Sequence, residues 1–138
     1  MGRILAVDYG KRRIGLAVSD GLGLTAQGLP TVEALGPVQA VKVVHEAVVS
    51  CEAEQVVVGL PLNMDGSRGP MAEAAEAFAA ALREATGVPV TCWDERLTSV
   101  AAHRAMQEMG QKIRGRKGMV DRIAATLLLE AFLQTRSE

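Results

Sequence analysis

The stretch Arg3-Ile4-Leu5-Ala6-Val7-Asp8-Tyr9-Gly10-Lys11-Arg12-Arg13-Ile14-Gly15-Leu16-Ala17-Val18 decides how this chain is read. Two largely aliphatic runs, 3–7 and 14–18, flank a short basic segment. Runs of that length, separated by a turn carrying glycine and cations, predict two strands joined as a hairpin. The first is apolar throughout, as a largely buried strand must be, and it ends on an acid. An Asp in that position can serve simply as a turn residue. Here glycine permits close approach of other groups and three cations follow, so the same carboxylate also suits a cation site at the mouth of a central strand. Its oxygens are the hard donors that Mg²⁺ or Mn²⁺ prefer.

Beyond the hairpin, a third strand is expected within residues 23–31, before or around Pro30. Val38, Val41, Val44 and Val48, with Lys42 and Glu46 between them, predict a helix over 37–50. Gln55 to Val58 reads as a short central strand that runs into the loop Gly59-Leu60-Pro61-Leu62-Asn63-Met64-Asp65-Gly66-Ser67. An Ala-rich helix spans about 69 to 86, with Pro70 in its first turn and Gly87 past its end. Val88 to Trp93 is another strand, and Thr98 or Ser99 caps a helix running to about Met109 and stopped by Gly110. A basic segment leads to a last helix over about 119–134, with Val120, Ile123, Ala124, Leu127, Leu128 and Ala131 on one face. This order predicts an α/β fold with a mixed five-stranded sheet flanked by helices on both faces.

Composition agrees. With 138 residues the chain is sized for a single domain, 1–138. Hydrophobic residues at 49% and charged ones at 22% exclude a disordered chain. Aromatics at 3% leave the core to Val, Leu, Ala and Ile, which suits strands covered by Ala-rich helices. No apolar run approaches the ~20 residues of a membrane span, and Met1-Gly2-Arg3-Ile4 leads straight into a strand without the regions of a signal peptide. A cytoplasmic protein with no membrane partner is therefore expected. Cys51 and Cys92 lack metal-ligand spacing and read as small apolar residues in a reducing compartment. The net charge of −1 argues against a generally basic coating protein. Positive charge is instead concentrated in Lys11-Arg12-Arg13 and in Lys112, Arg114, Arg116 and Lys117, two patches able to engage a polyanion locally.

Two further acidic positions attract attention. Asp94-Glu95-Arg96 follows a strand; it could be a solvated loop, but adjacent residues on extended chain point opposite ways, so one carboxylate of the pair can face a shared site. Asp121 lies in line with Ala125, Leu128 and Phe132. It either complements the helix dipole or, with small residues at 124 and 125 letting the helix sit close, is carried to the strand ends where Asp8 lies. The backbone N–H groups of the 59–67 loop, with Asn63 and Ser67, precede a helix N-terminus and favour anions, as does Thr98 at the next one. The loop lacks the Gly-Lys-Ser/Thr ending of a P-loop. His45 and His103 form no nucleophile pattern and read as helix-surface residues. Trp93 and Phe132 read as core, and Tyr9 stands beside the candidate site.

Taken together and in this order, Asp8-Tyr9-Gly10-Lys11-Arg12-Arg13-Ile14-Gly15-Leu16-Ala17, the loop 59–67, Asp94-Glu95-Arg96-Leu97-Thr98 and Asp121 with Ala124-Ala125 resemble the YqgF (RuvX) family across essentially the whole chain. The resemblance implies an RNase H-like fold and a metal-dependent nuclease, a hydrolase of phosphodiester bonds. Its expected task is maturing the 5′ end of precursor 16S ribosomal RNA in ribosome biogenesis, with Holliday junction resolution on branched DNA as the alternative. It implies Mg²⁺ or Mn²⁺ held by Asp8, Glu95 and Asp121, with Asp94 as a neighbouring candidate, in a two-metal hydrolysis. Clustered carboxylates repel one another, so metal should stabilise the site. Structured RNA or branched DNA would be gripped by Lys11, Arg12, Arg13, Asn63, Ser67, Arg96, Thr98, Lys112, Arg114, Arg116 and Lys117. Cutting a junction calls for a homodimer; trimming an end does not. Two other classes compete: half of an actin-type ATP-binding protein, for which 138 residues supply only one of two halves, and a nucleic-acid-binding factor that never cuts.

Overall fold

The computed structural model describes residues 2–97 and 117–136; the side chains at 97, 117–121 and 136 lie outside the described set. The strands are β1 (Arg3–Tyr9), β2 (Arg13–Ser19), β3 (Ala26–Glu33), β4 (Ala53–Leu60) and β5 (Val90–Asp94). The helices are α1 (Pro37–Cys51), α2 (Pro70–Thr86) and α3 (Lys117–Arg136), and a 3₁₀ turn, Glu95–Leu97, follows β5. The sheet order is β3-β2-β1-β4-β5. β1 is antiparallel to β2 and parallel to β4, β2 is antiparallel to β3, and β4 is parallel to β5. The hairpin predicted over 3–18 is therefore the centre and one flank of the sheet.

Strand alternation divides the core in two. Leu5, Val7, Ile14, Leu16, Val56 and Val58 turn to one face, where α1 and α2 cover them with Val44, Val48, Phe78 and Leu82. Ile4, Ala6, Ala17 and Val57 turn to the other, beneath Ala125, Leu129, Phe132 and Leu133 of α3. Small residues at 6 and 17 leave room for α3 to sit close to the strands. Among the described residues one polar or charged residue is buried, Ser19: its hydroxyl accepts from the Ile4 N–H at 2.8 Å and donates to the Asp20 carbonyl at 3.0 Å, so neither backbone group is stranded. α2 begins on Pro70 and stops at Gly87, whose φ of +74° is the left-handed turn that glycine accepts readily.

Several boundaries differ from those the sequence predicts. β3 runs to Glu33, past Pro30. It is an edge strand, and its register with β2 jumps between Ile14↔Val32 and Leu16↔Leu29, so Pro30 and Thr31 together oppose Gly15. A bulge on an edge is where a residue without an N–H is tolerated. β4 extends over Gly59 and Leu60, assigned above to the loop, because both pair with β5, at Trp93 and Asp94. β5 begins at Val90, later than the predicted Val88. The helix expected from 98 to 109, with His103, falls outside the described residues. Cys51 and Cys92 are free, half-buried thiols, and burial pushes the Cys92 thiol above its ordinary value, which disfavours its thiolate. No described helix is long and apolar enough to cross a membrane.

Candidate metal and nucleic-acid site

The parallel strands β1, β4 and β5 all deliver their C-terminal ends to one edge of the sheet, the edge at which sheets of this kind present ligand sites. Asp8 arrives there as the next step in the alternation of Ile4 and Ala6, so its side chain turns to the face that α3 covers. Directly opposite Asp8 on β2 is Gly15. On the other side, one residue beyond the Val7↔Val58 pairing, lies Gly59. The half-buried carboxylate thus has a residue without a side chain on each neighbouring strand.

Glu95 enters this space from β5. Trp93 shares the α3 face, meeting Phe132 edge-on with ring centroids 5.4 Å apart. After Asp94 the chain tightens into the 3₁₀ turn, and the Glu95 side chain folds back over β4. A Cβ built on Gly59 would sit against Glu95 Oε1 and only 3.2 and 3.3 Å from its Cδ and Cγ. The Glu95 carboxylate therefore lies above Gly59, the residue level with Asp8 on the adjoining strand.

Asp94 has a different task. Its carboxylate accepts two bonds from Arg96 Nε at 3.1 Å each, one from Nη2 at 2.8 Å, and the Arg96 backbone N–H at 2.9 Å. That clasp with the Arg96 guanidinium holds Asp94 below the usual carboxylate range. Arg96 Nη1 also donates to the Met64 carbonyl at 3.3 Å, fastening the 61–69 loop to the end of β5. Within that loop Asn63 Nδ2 donates to Ser67 Oγ at 2.9 Å, and the Ser67 hydroxyl donates to Asp65 Oδ1 at 2.6 Å. The hydrogen bonds from Ser67 keep the Asp65 carboxyl below its ordinary value. Asn63, Ser67 and Arg96, predicted as phosphate contacts, are thus engaged in shaping the loop.

α3 crosses the same face. Arg122 Nε donates to the Leu29 carbonyl at 2.8 Å, and the space over Gly28 is taken by Arg122 Cγ and Thr126 Oγ1, 2.6 and 2.9 Å from where a Cβ would stand. Leu29 pairs with Leu16, and Leu16 with Val7. At its other end α3 brings Leu133 and Gln134 beside Leu24, Thr25 and Ala26, near the start of β1. The helix therefore runs antiparallel to β1, and the turn containing the backbone of Asp121 is at the Asp8 end of the sheet, on the Asp8 face. The Asp121 side chain is outside the described set, and no group of three or more Asp, Glu, His or Cys placed to hold a metal ion occurs among the described residues.

Lys11 and Arg12 are exposed in the turn between β1 and β2, and Arg13, the first residue of β2, is half-buried at the same edge. Thr98, Lys112, Arg114 and Arg116 fall outside the described residues; Lys117 is the first residue of α3, its side chain outside the described set. Tyr9 turns away from Asp8: its ring stacks on Phe78 at 4.5 Å and 18° on the opposite face. Sequence reading did not single out the clearance supplied by Gly15 and Gly59, nor the anchoring of α3 by Arg122. The only signal was a lone glycine at the end of a β-branched run.

The architecture is an RNase H-like α/β fold. T. thermophilus RuvC in complex with a Holliday junction substrate superposes with a TM-score of 0.63 over 99% of this chain and 98% of that one, at 15% identity. Fowlpox virus resolvase with Holliday junction DNA gives 0.59 over 99% of both chains, at 12% identity. At these identities the likeness is one of fold. Sequence carries the relationship further: the family described as RuvX, Holliday junction resolvase, matches residues 2–135. A "Putative pre-16S rRNA nuclease" of Halothermothrix orenii is 40% identical over 136 residues, 99% of this chain and 97% of that protein. One of the same description from Koribacter versatilis is 46% identical over 135 residues, 98% of this chain and 88% of that protein. The chain belongs to the RuvX family.

Proposed function

We propose that this chain is a metal-dependent endonuclease that matures the 5′ end of precursor 16S ribosomal RNA. The observation that carries the reading is the convergence of Asp8 and Glu95 on one face, at a level cleared by Gly15 and Gly59. Two carboxylates brought to one level, Glu95 in the space that a Cβ on Gly59 would take, fit Mg²⁺ or Mn²⁺, because the donors are hard oxygens and no thiolate or imidazole is positioned with them among the described residues. Asp8 and Glu95 would hold the metal, with Asp121 as the third ligand. Bound divalent ions, two in this reading, would supply Lewis-acid stabilisation of the phosphate charge and lower the pKa of water.

The chain's own residues do the rest. Lys11, Arg12 and Arg13 hold phosphates at the same edge, and the Asp94–Arg96 clasp keeps Glu95 aimed at Asp8. Asp94 is thereby a support for the ligand set and not a member of it. Lys112, Arg114, Arg116 and Lys117 extend the phosphate track. Replacing Arg114 and Arg116 by Ala is expected to weaken RNA binding across sequences and to lower the slope of log affinity against log salt by about 2, one unit per lost phosphate contact. An unchanged slope removes this segment from the interface.

The RNA reading is favoured over junction resolution by the relatives at 40% and 46% identity, whose description names the ribosomal precursor. It places the protein in ribosome biogenesis in the cytoplasm and requires one active site, whereas a junction resolvase requires a homodimer with two. The deciding experiment sets a precursor carrying its 5′ extension beside a four-way DNA junction, each with Mg²⁺. Cleavage of the precursor at the mature end, with the junction left whole, is expected. Symmetrical cutting of the junction with the precursor untouched overturns the assignment.

A further inference from the structure

We infer that Gly59 is a positioning residue of the proposed nuclease site: its missing side chain is what lets the Glu95 carboxylate lie beside Asp8. The inference rests on the reading of Asp8 and Glu95 as metal ligands and adds a residue that touches neither metal nor substrate.

Gly59 lies inside β4, preceded by Val56, Val57 and Val58 and paired with Trp93 of β5. A glycine there weakens a strand, since it contributes no packing and loses more chain entropy than other residues. Its backbone does not call for glycine either: among the described residues the glycines with positive φ are Gly23, Gly36, Gly66 and Gly87, and Gly59 is not among them. What calls for it is the space above. The groups that a Cβ would crowd are Oε1, Cδ and Cγ of Glu95. These belong to the far end of a flexible side chain and not to backbone. An added methyl group is therefore accommodated by swinging the carboxylate aside, with the sheet unchanged. The turn bearing Glu95 cannot retreat with it, because Leu60 pairs with Asp94 and the Arg96 N–H is bonded to Asp94 Oδ1 at 2.9 Å. Gly59→Ala thus separates the site from the fold.

The test compares wild type, Gly59→Ala, Glu95→Gln and the double variant, reading thermal midpoints without metal, their rise on adding Mn²⁺ alone, and cleavage rates. Without metal, Gly59→Ala is expected to melt at or above the wild-type midpoint. With Mn²⁺ its midpoint should lose most of the wild-type rise, and cleavage should fall about a hundredfold, the usual cost of misplacing a reacting group by about 1 Å. The double variant should be no worse than Glu95→Gln, because both changes act through one carboxylate. A Gly59→Ala protein that keeps the Mn²⁺ response, melts well below wild type without metal, fails to fold, or adds its loss to that of Glu95→Gln overturns the inference. If Glu95→Gln itself keeps the full Mn²⁺ response and cleavage, the ligand assignment falls first, and that outcome is distinct from failure of Gly59→Ala alone.

Discussion

Asp8→Asn is expected to abolish metal-dependent cleavage while leaving RNA binding within about twofold of wild type. The amide keeps the shape of the side chain and the pairing of β1 with Gly15, so the sheet has no reason to change. It removes the negative charge, and a neutral amide is a poor substitute for carboxylate toward a small hard cation. Metal at a phosphoryl centre supplies several kcal/mol of charge stabilisation. Losing about 4 kcal/mol of it lowers the rate on the order of a thousandfold. Affinity for RNA comes mainly from phosphate contacts by Lys and Arg, which the substitution does not touch. Rate measurements and filter binding on one preparation separate the two effects. Full cleavage by the variant would remove Asp8 from the ligand set, and the same residual background cleavage in both proteins would sink the nuclease assignment and leave a binding factor in its place.

Phe78→Ala is expected to have the largest effect on stability and little on the chemistry. Phe78 is 2% exposed and stacks on Tyr9, filling the seam between α2 and the sheet. Truncating a buried Phe costs about 3–5 kcal/mol, through lost transfer energy and the cavity left behind. Against a total of about 5–15 kcal/mol, that removes a large share of the fold's stability. For a domain of this length the midpoint of thermal unfolding should drop by roughly 10–20 °C. Yet Phe78 lies on the face opposite Asp8, so cleavage per folded molecule, measured well below the new midpoint, should stay close to wild type. Calorimetry and cleavage at low temperature check both halves. Loss of cleavage with the fold intact would mean that the α1–α2 face takes part in substrate handling.

The glycines of the sheet explain why local pattern falls short at the site. Alternation in Ile4-Leu5-Ala6-Val7-Asp8 is enough to assign alternate residues to opposite faces, and the adjacent acids 94 and 95 are bound to diverge. Neither pattern says which acid meets Asp8. That depends on the register of β4 against β1 and of β5 against β4, set by backbone pairing between segments some 30 to 50 residues apart. The same pairing moves Gly59 and Leu60 from loop into strand. It also carries β3 past Pro30, whose missing N–H costs little at the bulge of an edge strand. Tyr9 follows alternation, and its proximity to Asp8 in sequence is the reason it points the other way. Asn63 and Ser67 look like phosphate donors in a Gly-rich loop, yet their first partners are each other and Asp65.

By itself, then, the sequence determined the α/β class, the order of the described elements, the hairpin at the sheet's centre and the strand-end position of Asp8, because periodicity and turn chemistry are local properties of the chain. Only the tertiary structure decided that Glu95 and not Asp94 leans toward Asp8, and that Gly15 and Gly59 clear the ground between strands. It also decided that α3 lays its first turns over the same edge and face. Those are facts of register and packing, and they exist only once distant segments have paired.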